Sequence, residues 1–233
     1  MRVQPYGVGS FVHIVKRGTR GLPIVRDAED RRRFLLMLAH FNDKFAAENW
    51  FRDLVDNRLV YSFERPQTWP EQDKIVKVIC FCLLDNHFHL ILEEIEEGGI
   101  AKFMQRFGTA MSKHFNEKYK EKGSMFQGSY RSKTISNDNY LRYVSVYVQV
   151  KNAFDIFPGG YASAIKDFDK AYTWATTSPF NSLGDYAGVH VRPIVDKEFL
   201  SQVFTPREFK KFSKDFIEGR RSLSEEAEPL LFE

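Results

Sequence analysis

The sequence has few features of a secreted or membrane-bound protein. Its 233 residues include only two cysteines, Cys80 and Cys82, two apart in an apolar run. If that run is a strand, both thiols point to the same face, a poor arrangement for a disulfide, and a zinc site would need further ligands. No apolar stretch approaches the roughly 18 residues that span a bilayer, and no sustained apolar segment follows Met1. We therefore expect a soluble, cytoplasmic protein with no membrane partner.

The chain also lacks a strong charge of either sign. Its formal net charge is +3, which is compatible with nucleic-acid binding but does not establish it. Aromatic residues, by contrast, are plentiful at 15% of the chain, with 22 phenylalanines. Most of these rings belong in a core, and the surplus is available to stack on flat ligands such as bases.

The hydrophobic pattern alternates between strand and helix periods. Helix starts are indicated by Asp27, by Asn137 or Asp138, and by Thr205 before Pro206. Residues 49–73 are the least regular part, with a possible short strand at 58–63. Residues 161–192 look rich in loops. Short helices are expected in 196–221, and the acidic residues at the end are expected to be frayed. The main elements are expected as strands at 10–17, 74–84, 87–93 and 129–135, and as helices at 27–48, 100–119 and 139–154.

This order predicts an α+β fold, in which helices pack on an antiparallel sheet of about four to five strands and a helical extension follows. Strands 74–84 and 87–93 should form a hairpin, because only Asp85 and Asn86 lie between the apolar runs. We expect one domain over residues 7–160, with 49–73 as an insertion, and a loop-rich and helical extension over 161–233.

The run Asn86-His87-Phe88-His89 is the clearest candidate for a site. In a strand, His87 and His89 project from one face and Phe88 from the other, into the core. Two imidazoles on one face are able to share a divalent metal ion if another element supplies a third ligand. Taken alone, such a pair is more often two exposed or hydrogen-bonded histidines than a metal site.

Together with other segments, this run resembles the HUH (His-hydrophobe-His) endonuclease superfamily, in particular the single-tyrosine transposases of small insertion sequences and their REP-associated relatives. The resemblance covers about residues 7–190 and is weakest over 49–73. Trp174 and the Tyr186-Ala187-Gly188 stretch are similar to the C-terminal extension of that family. The other matching segments are KVICFCLLDNHFHLIL (77–92), MFQGSYRSKTI (125–135) and NDNYLRYVSVYVQVKNAF (137–154).

The resemblance implies a ferredoxin-like HUH endonuclease fold and a metal-dependent single-stranded DNA endonuclease and strand transferase. In that chemistry a Mg²⁺ or Mn²⁺ ion held by His87 and His89 polarises a phosphate, and a tyrosine attacks it to give a 5′-phosphotyrosine link and a free 3′-hydroxyl. The implied partners are single-stranded or hairpin DNA, and a homodimer is possible because some family members are dimers.

Tyr140, Tyr143 and Tyr147 form a stripe on one predicted helix, and such stripes usually belong to a core. The position that matches the family nucleophile is Tyr147. The family has Asn or Gln four residues later as a metal ligand, but here that position is Lys151, which is unable to ligate a metal while charged. Asn152 could replace it if the helix is distorted, with Gln149 a weaker substitute. Alternatively, the third ligand is lost, and Lys151 contacts phosphate or lowers the pKa of Tyr147.

Basic residues near these segments are candidates for DNA contacts. Arg106 and Lys113 fall on one face of the helix at 100–119, and Arg131 and Lys133 alternate on the basic strand that leads to the tyrosine helix. With Lys151, these residues form the predicted nucleic-acid-binding set. Two functions follow: an active transposase-type nicking and rejoining enzyme, mobile or domesticated, or a descendant that binds hairpin nucleic acid without cutting it. A metal-independent structural or regulatory domain is the third reading.

Overall fold

The computed structural model describes residues 6–219. Its centre is an antiparallel sheet of four strands in the order β2-β3-β1-β4. The hairpin expected around Asp85 and Asn86 is present as β2 and β3, and β1 adds to the other side of β3. The strand bounds are Phe11–Arg17 for β1, Val76–Leu83 for β2, His87–Glu94 for β3 and Arg131–Thr134 for β4.

Helices cover both faces of this sheet. Phe88, Leu90 and Leu92 pack into one hydrophobic cluster with α1 (Ala28–His40) and α3 (Gly99–Tyr119). Ile91, from the opposite face of β3, packs into a second cluster with α4 (Asp138–Val146) and the helices that follow it. The predicted α+β class, with one antiparallel sheet carrying helices, is therefore confirmed.

The segment between α1 and β2 departs from the prediction. Helix α1 was expected to reach Glu48, but it ends at His40, because the Asn42 side chain instead accepts hydrogen bonds from the amides of Ile75 (3.2 Å) and Val76 (3.0 Å) at the start of β2. The possible strand at 58–63 is absent: a short helix, α2 (Trp50–Asp56), is followed by a turn in which the Leu59 amide donates to the Leu54 carbonyl at 2.8 Å.

The helix that carries the tyrosine stripe is long and interrupted. Helix α4 begins at the predicted cap, where the Asn137 side chain accepts from the Tyr140 amide at 2.8 Å. The chain then makes a π-helical turn over Tyr147–Lys151 before α5 (Asn152–Asp155). Tyr147, Asn152 and Phe154 are buried along this stretch.

The part after residue 160 is more helical than the sequence indicated. Residues 161–192 looked rich in loops, yet most of them up to 186 lie in helices whose apolar residues join the same cluster as α4, as in the contact of Phe168 with Phe154 at 5.6 Å between ring centroids. Thr205 caps the last helix in a capping box, as predicted, whereas residues 220–233, which include the expected frayed end, lie outside the described residues. These helices are α6 (Gly160–Lys166), α7 (Phe168–Thr177), α8 (Leu183–Tyr186), α9 (Glu198–Val203) and α10 (Pro206–Ile217).

Candidate active site

His87 and His89 lie at the start of β3 and project from the same face of the sheet. Their ring centroids are 5.0 Å apart. Phe88 between them points to the opposite face, where its ring lies 5.4 Å from those of both Phe34 and Phe107. The strand alternation read from the sequence therefore places the two imidazoles side by side and Phe88 in the core.

Hydrogen bonds at Nδ1 fix the orientation of both rings. His87 Nδ1 lies 2.6 Å from Asn86 Oδ1, and the Asn86 amide nitrogen donates to the Gly21 carbonyl at 3.2 Å. Because an amide oxygen only accepts, His87 carries its proton on Nδ1 and keeps a lone pair on Nε2. His89 Nδ1 lies 3.0 Å from His13 Nε2. His89 Nε2 is buried and has no hydrogen-bond partner among the described residues.

The surroundings of the pair favour neutral imidazoles. Burial lowers the pKa of His87 to about 4, and the charges of Arg17 and Lys151 add to the effect. Burial also lowers the pKa of His89 well below its usual value, helped by His13 and His87. Neutral rings keep the lone pairs that a metal ion requires. A buried Nε2 without a hydrogen-bond partner, next to a second neutral imidazole, fits a divalent metal ion of the Mg²⁺ or Mn²⁺ class.

Tyr147 lies directly beside this pair in the same chain. Its ring centroid is 5.4 Å from that of His89 and 6.1 Å from that of His13, both edge-on. Tyr143 instead packs on Phe212, at 5.2 Å between ring centroids. The Tyr140 hydroxyl is buried without a hydrogen-bond partner among the described residues, and burial raises its pKa. Tyr147 is thus the member of the stripe whose ring contacts the histidines.

The π-helical turn changes which side chain lies one turn beyond Tyr147. The Asn152 amide donates to the Tyr147 carbonyl, so five residues close this turn instead of the four of an α-helix. Because this turn contains one extra residue, Asn152, five positions after Tyr147, lies where the fourth residue after Tyr147 would lie in an α-helix. Asn152 is 1% exposed, and its Nδ2 has no hydrogen-bond partner among the described residues. The helix is therefore distorted at this turn, which was the condition for Asn152 to replace Lys151, and its ligand role stays a prediction.

Lys151 and Gln149 have other contacts. Lys151 Nζ forms an ion pair with Asp155 at 3.1 Å and lies 5.3 Å from the centroid of the Tyr147 ring. The Gln149 side chain accepts from the Ser182 hydroxyl at 3.1 Å and donates to the Ser145 carbonyl at 3.5 Å. These bonds hold the Gln149 amide within the helix packing, which makes it a poorer ligand candidate than Asn152.

The predicted basic residues fall into two separate groups. Arg131 and Lys133 on β4 are paired across the sheet with Val15 and His13, so both lie on the face that carries His89. Arg106 and Lys113 lie on α3, which packs on the opposite face. Only the first group and Lys151 lie on the same face of the sheet as the histidine pair.

His13 and Arg17 belong to this centre but were not predicted from the sequence. Both lie on β1, which runs antiparallel beside β3. His13 is fully buried, and Arg17 is paired across the sheet with His87. A single histidine in a β-rich segment carries no signal of its own, and only the pairing of β1 with β3 reveals its place.

Within residues 6–219 there is no group of three or more His, Cys, Asp or Glu side chains that could hold a metal ion. A metal ion bound here by His87 and His89 would therefore need a third ligand of another type, such as the Asn152 amide oxygen.

Comparison with known proteins agrees with the motifs. Residues 51–151 match the model of a family described as "Transposase IS200 like". This segment contains the histidine pair, Tyr147 and Lys151, so the resemblance to the single-tyrosine transposases is confirmed over this segment. No curated protein sequence matches.

A solved structure described as "Structure of the REP associates tyrosine transposase bound to a REP hairpin" is similar to this chain at a TM-score of 0.41 and 14% identity, covering 82% of this chain and 88% of that one. In the part of the chain that the structure describes, no helix is both long and apolar enough to cross a membrane.

Proposed function

We propose that this protein is a metal-dependent single-stranded DNA endonuclease and strand transferase of the single-tyrosine type. The observation that carries the proposal is the contact of Tyr147 with His89 within one chain, at 5.4 Å between ring centroids. A nucleophile and a pair of neutral imidazoles are the parts that phosphodiester transfer by a tyrosine requires. The family match over residues 51–151 supports the same chemistry.

The step assigned to Tyr147 is attack of its phenolic oxygen on a backbone phosphorus. The new Tyr–O–P bond forms as the P–O3′ bond breaks, and the phenolic proton is transferred overall to the leaving 3′-oxygen. The product is a 5′-phosphotyrosine link with a free 3′-hydroxyl, and attack by another strand's 3′-hydroxyl reverses the step without ATP. His87, His89 and Asn152 would hold Mg²⁺ or Mn²⁺, which when bound stabilises charge on a non-bridging phosphate oxygen.

Substrate binding is assigned to the charges on the same face. Arg131 and Lys133 would contact phosphates of the strand that approaches the histidine pair, and Lys151 would add charge beside Tyr147. A single strand is favoured because the tyrosine must reach an unpaired backbone, and a neighbouring hairpin would define the cutting position. Because one chain supplies every group named, the centre is complete in a monomer, and a homodimer is not required to assemble it.

The proposed catalytic domain is residues 7–160, including the insertion at 49–73, and residues 161–233 form its extension. Tyr172 and Leu183 of the extension belong to the same hydrophobic cluster as Tyr147. The extension would therefore pack against the helix that carries Tyr147 and stabilise it.

A second candidate function is hairpin nucleic-acid binding without cleavage. The observation in its favour is burial, since Tyr147 is only 3% exposed and His89 only 2% exposed. Lys151 at the position of the usual amide ligand points the same way. The two functions predict the same partner and differ in whether a covalent adduct forms.

The experiment is incubation with an end-labelled DNA hairpin carrying single-stranded flanks, with Mg²⁺ or Mn²⁺. A covalent protein–DNA adduct that survives denaturing electrophoresis is expected from the unsubstituted protein and from Tyr143→Phe, a matched control on the same helix. Tyr147→Phe should form none, and His87→Ala should reduce adduct formation at least 10-fold. An adduct that persists in Tyr147→Phe contradicts the assignment. Hairpin binding without an adduct in either metal, unchanged by His87→Ala, establishes the second function instead.

A further inference from the structure

A second candidate site lies on the other side of the sheet from Tyr147. It is a cavity of about 890 Å³ between the C-terminal end of α1, the segment that follows it, and α3. This volume falls in the range of small-ligand pockets. The insertion at 49–73, which the active site does not use, supplies part of its wall through Trp50, Phe51 and Trp69.

The wall of this cavity is aromatic. The ring of Trp50 packs edge-on against Phe41 at 4.9 Å between centroids, and that of Trp69 lies 5.9 Å from Phe45. The Phe45 side chain is 38% exposed. Partly exposed rings beside a cavity offer flat faces on which a planar ligand can stack.

Cations outnumber carboxylates around the cavity. Arg33 lies 3.5 Å above the Phe51 ring, and His114 fixes it by a hydrogen bond of 2.9 Å. Lys113 is exposed and has no carboxylate within ion-pair distance among the described residues. This excess favours an anionic ligand. The charged side chains that line the cavity are Arg33, Arg52, Arg106 and Lys113 against Glu48 and Glu117, and Arg52 is offset by an ion pair with Asp56 at 3.6 Å.

His40 adds an unsatisfied polar group to the wall. It is 5% exposed, and its Nε2 is buried with no hydrogen-bond partner among the described residues. Burial lowers its pKa to about 4, so the ring is neutral at physiological pH and can donate or accept a single hydrogen bond. A buried polar atom without a partner is unfavourable for folding. Its presence here is explained if a ligand supplies the missing hydrogen bond.

We propose that this cavity binds an unpaired nucleobase of a nucleic-acid strand, with the base stacked on Trp50 or Trp69 and hydrogen-bonded to His40, and the adjoining phosphate near Arg33 and Lys113. The proposal rests on the proposed function in one respect, the choice of nucleic acid as the partner. It adds a second strand-binding site remote from the cleavage centre, which would hold an unpaired part of the substrate away from Tyr147.

The chain contains three tryptophans, two of which, Trp50 and Trp69, line the cavity. Replacing the third in a Trp174→Phe background makes tryptophan fluorescence a reporter of this cavity. Titration with a short oligothymidylate should quench it saturably. His40→Leu should weaken this binding at least 10-fold while leaving the melting temperature unchanged or higher, because an apolar side chain replaces an unsatisfied buried nitrogen.

Lys113→Ala should lower the magnitude of the slope of the logarithm of the binding constant against the logarithm of the salt concentration by about one. Lys102→Ala should leave this slope unchanged, because Lys102 is an exposed lysine on the same helix outside the cavity. The same titration with oligouridylate shows whether the site distinguishes DNA from RNA, and either strand bound supports the proposal. No saturable quenching, or binding that His40→Leu and Lys113→Ala both leave unchanged, overturns it.

The titration is repeated in Tyr147→Phe, which should quench as before. If the unsubstituted protein shows the quenching but forms no covalent adduct, the result supports this site and contradicts only the cleavage function. Adduct formation without quenching contradicts this site alone.

Discussion

At the scale of single residues, the candidate centre depends on the Nε2 atoms of His87 and His89, whose rings are oriented by neighbouring side chains. Asn86 fixes the tautomer of His87, and His13 lies within hydrogen-bond distance of His89. Burial keeps both rings neutral, which is the form that ligates metal. Under the proposed function, Asn86 and His13 would act as positioning residues for the histidine pair.

We predict that His89→Ala removes stabilisation by Mn²⁺. At a free Mn²⁺ concentration of one hundred times the dissociation constant, a single site raises the free energy of unfolding by about 2.7 kcal/mol. Differential scanning fluorimetry with and without Mn²⁺ should show a rise in melting temperature for the unsubstituted protein and none for His89→Ala. His190→Ala serves as the control and should retain the rise, because the His190 ring instead contacts the Ser178 carbonyl at 3.2 Å. An undiminished Mn²⁺ effect in His89→Ala would remove this histidine from the metal site.

At the scale of elements, the interrupted helix α4–α5 decides which side chain lies one turn beyond Tyr147. An α-helix would place Lys151 one turn beyond Tyr147, and the π-helical turn places Asn152 there. The cost of this irregular turn is offset by packing, since Val148, Val150 and Ala153 are all fully buried. The extra residue explains how the chain departs from the Tyr-x-x-x-Asn spacing and still presents an asparagine.

We predict that deletion of Lys151 converts the π-helical turn into a regular α-helical one and leaves Asn152 in place. The deletion mutant should fold, with an unchanged far-ultraviolet circular dichroism spectrum, and should form the covalent adduct at least as well as the unaltered protein. Deletion of Ala153, just beyond the turn, is the control, because it rotates the buried residues that follow and should lower the melting temperature strongly. If the Lys151 deletion unfolds the protein as the Ala153 deletion does, the extra residue is not the cause of the turn.

At the scale of the whole molecule, the sheet separates two hydrophobic clusters and two candidate sites. The cluster on the Tyr147 side includes the C-terminal helices, and the other includes α1 and α3 with the cavity beside them. Histidines that are neutral in the folded state occur on both sides, at His89 and His40. Folding stability should therefore depend on pH in the acid range.

For His40 the direction follows from its pKa, about 4 in the folded protein against 6.5 for a free side chain. Between these values the unfolded chain binds a proton that the folded protein does not, so stability falls as the pH falls through this window. The loss is at most about 1.4 kcal/mol per pH unit for this group. Urea unfolding at pH 7 and at about pH 5 should show a smaller difference in His40→Leu than in the unsubstituted protein. Lys102→Ala should keep the full difference, and an equal difference in His40→Leu would contradict the assigned pKa.

Local patterns in the sequence were sufficient for the sheet and most of its flanking helices. The alternation at His87-Phe88-His89 and the caps at Asp27, Asn137 and Thr205 act through neighbours in the chain, and the structure agrees with each of them. The family match likewise rests on local motifs over residues 51–151.

Long-range contacts decided the rest. Helix α1 stops before Asn42 because that side chain bonds to β2, more than thirty residues away, and no local signal indicates this. His13 reaches His89 only through the pairing of β1 with β3. The sequence by itself determined which groups are candidates for the chemistry, since residue type and strand period are local properties. Only the tertiary structure decided that Tyr147 lies beside His89 and that Asn152 takes the position one turn further on, because strand pairing and helix packing join residues distant in the chain.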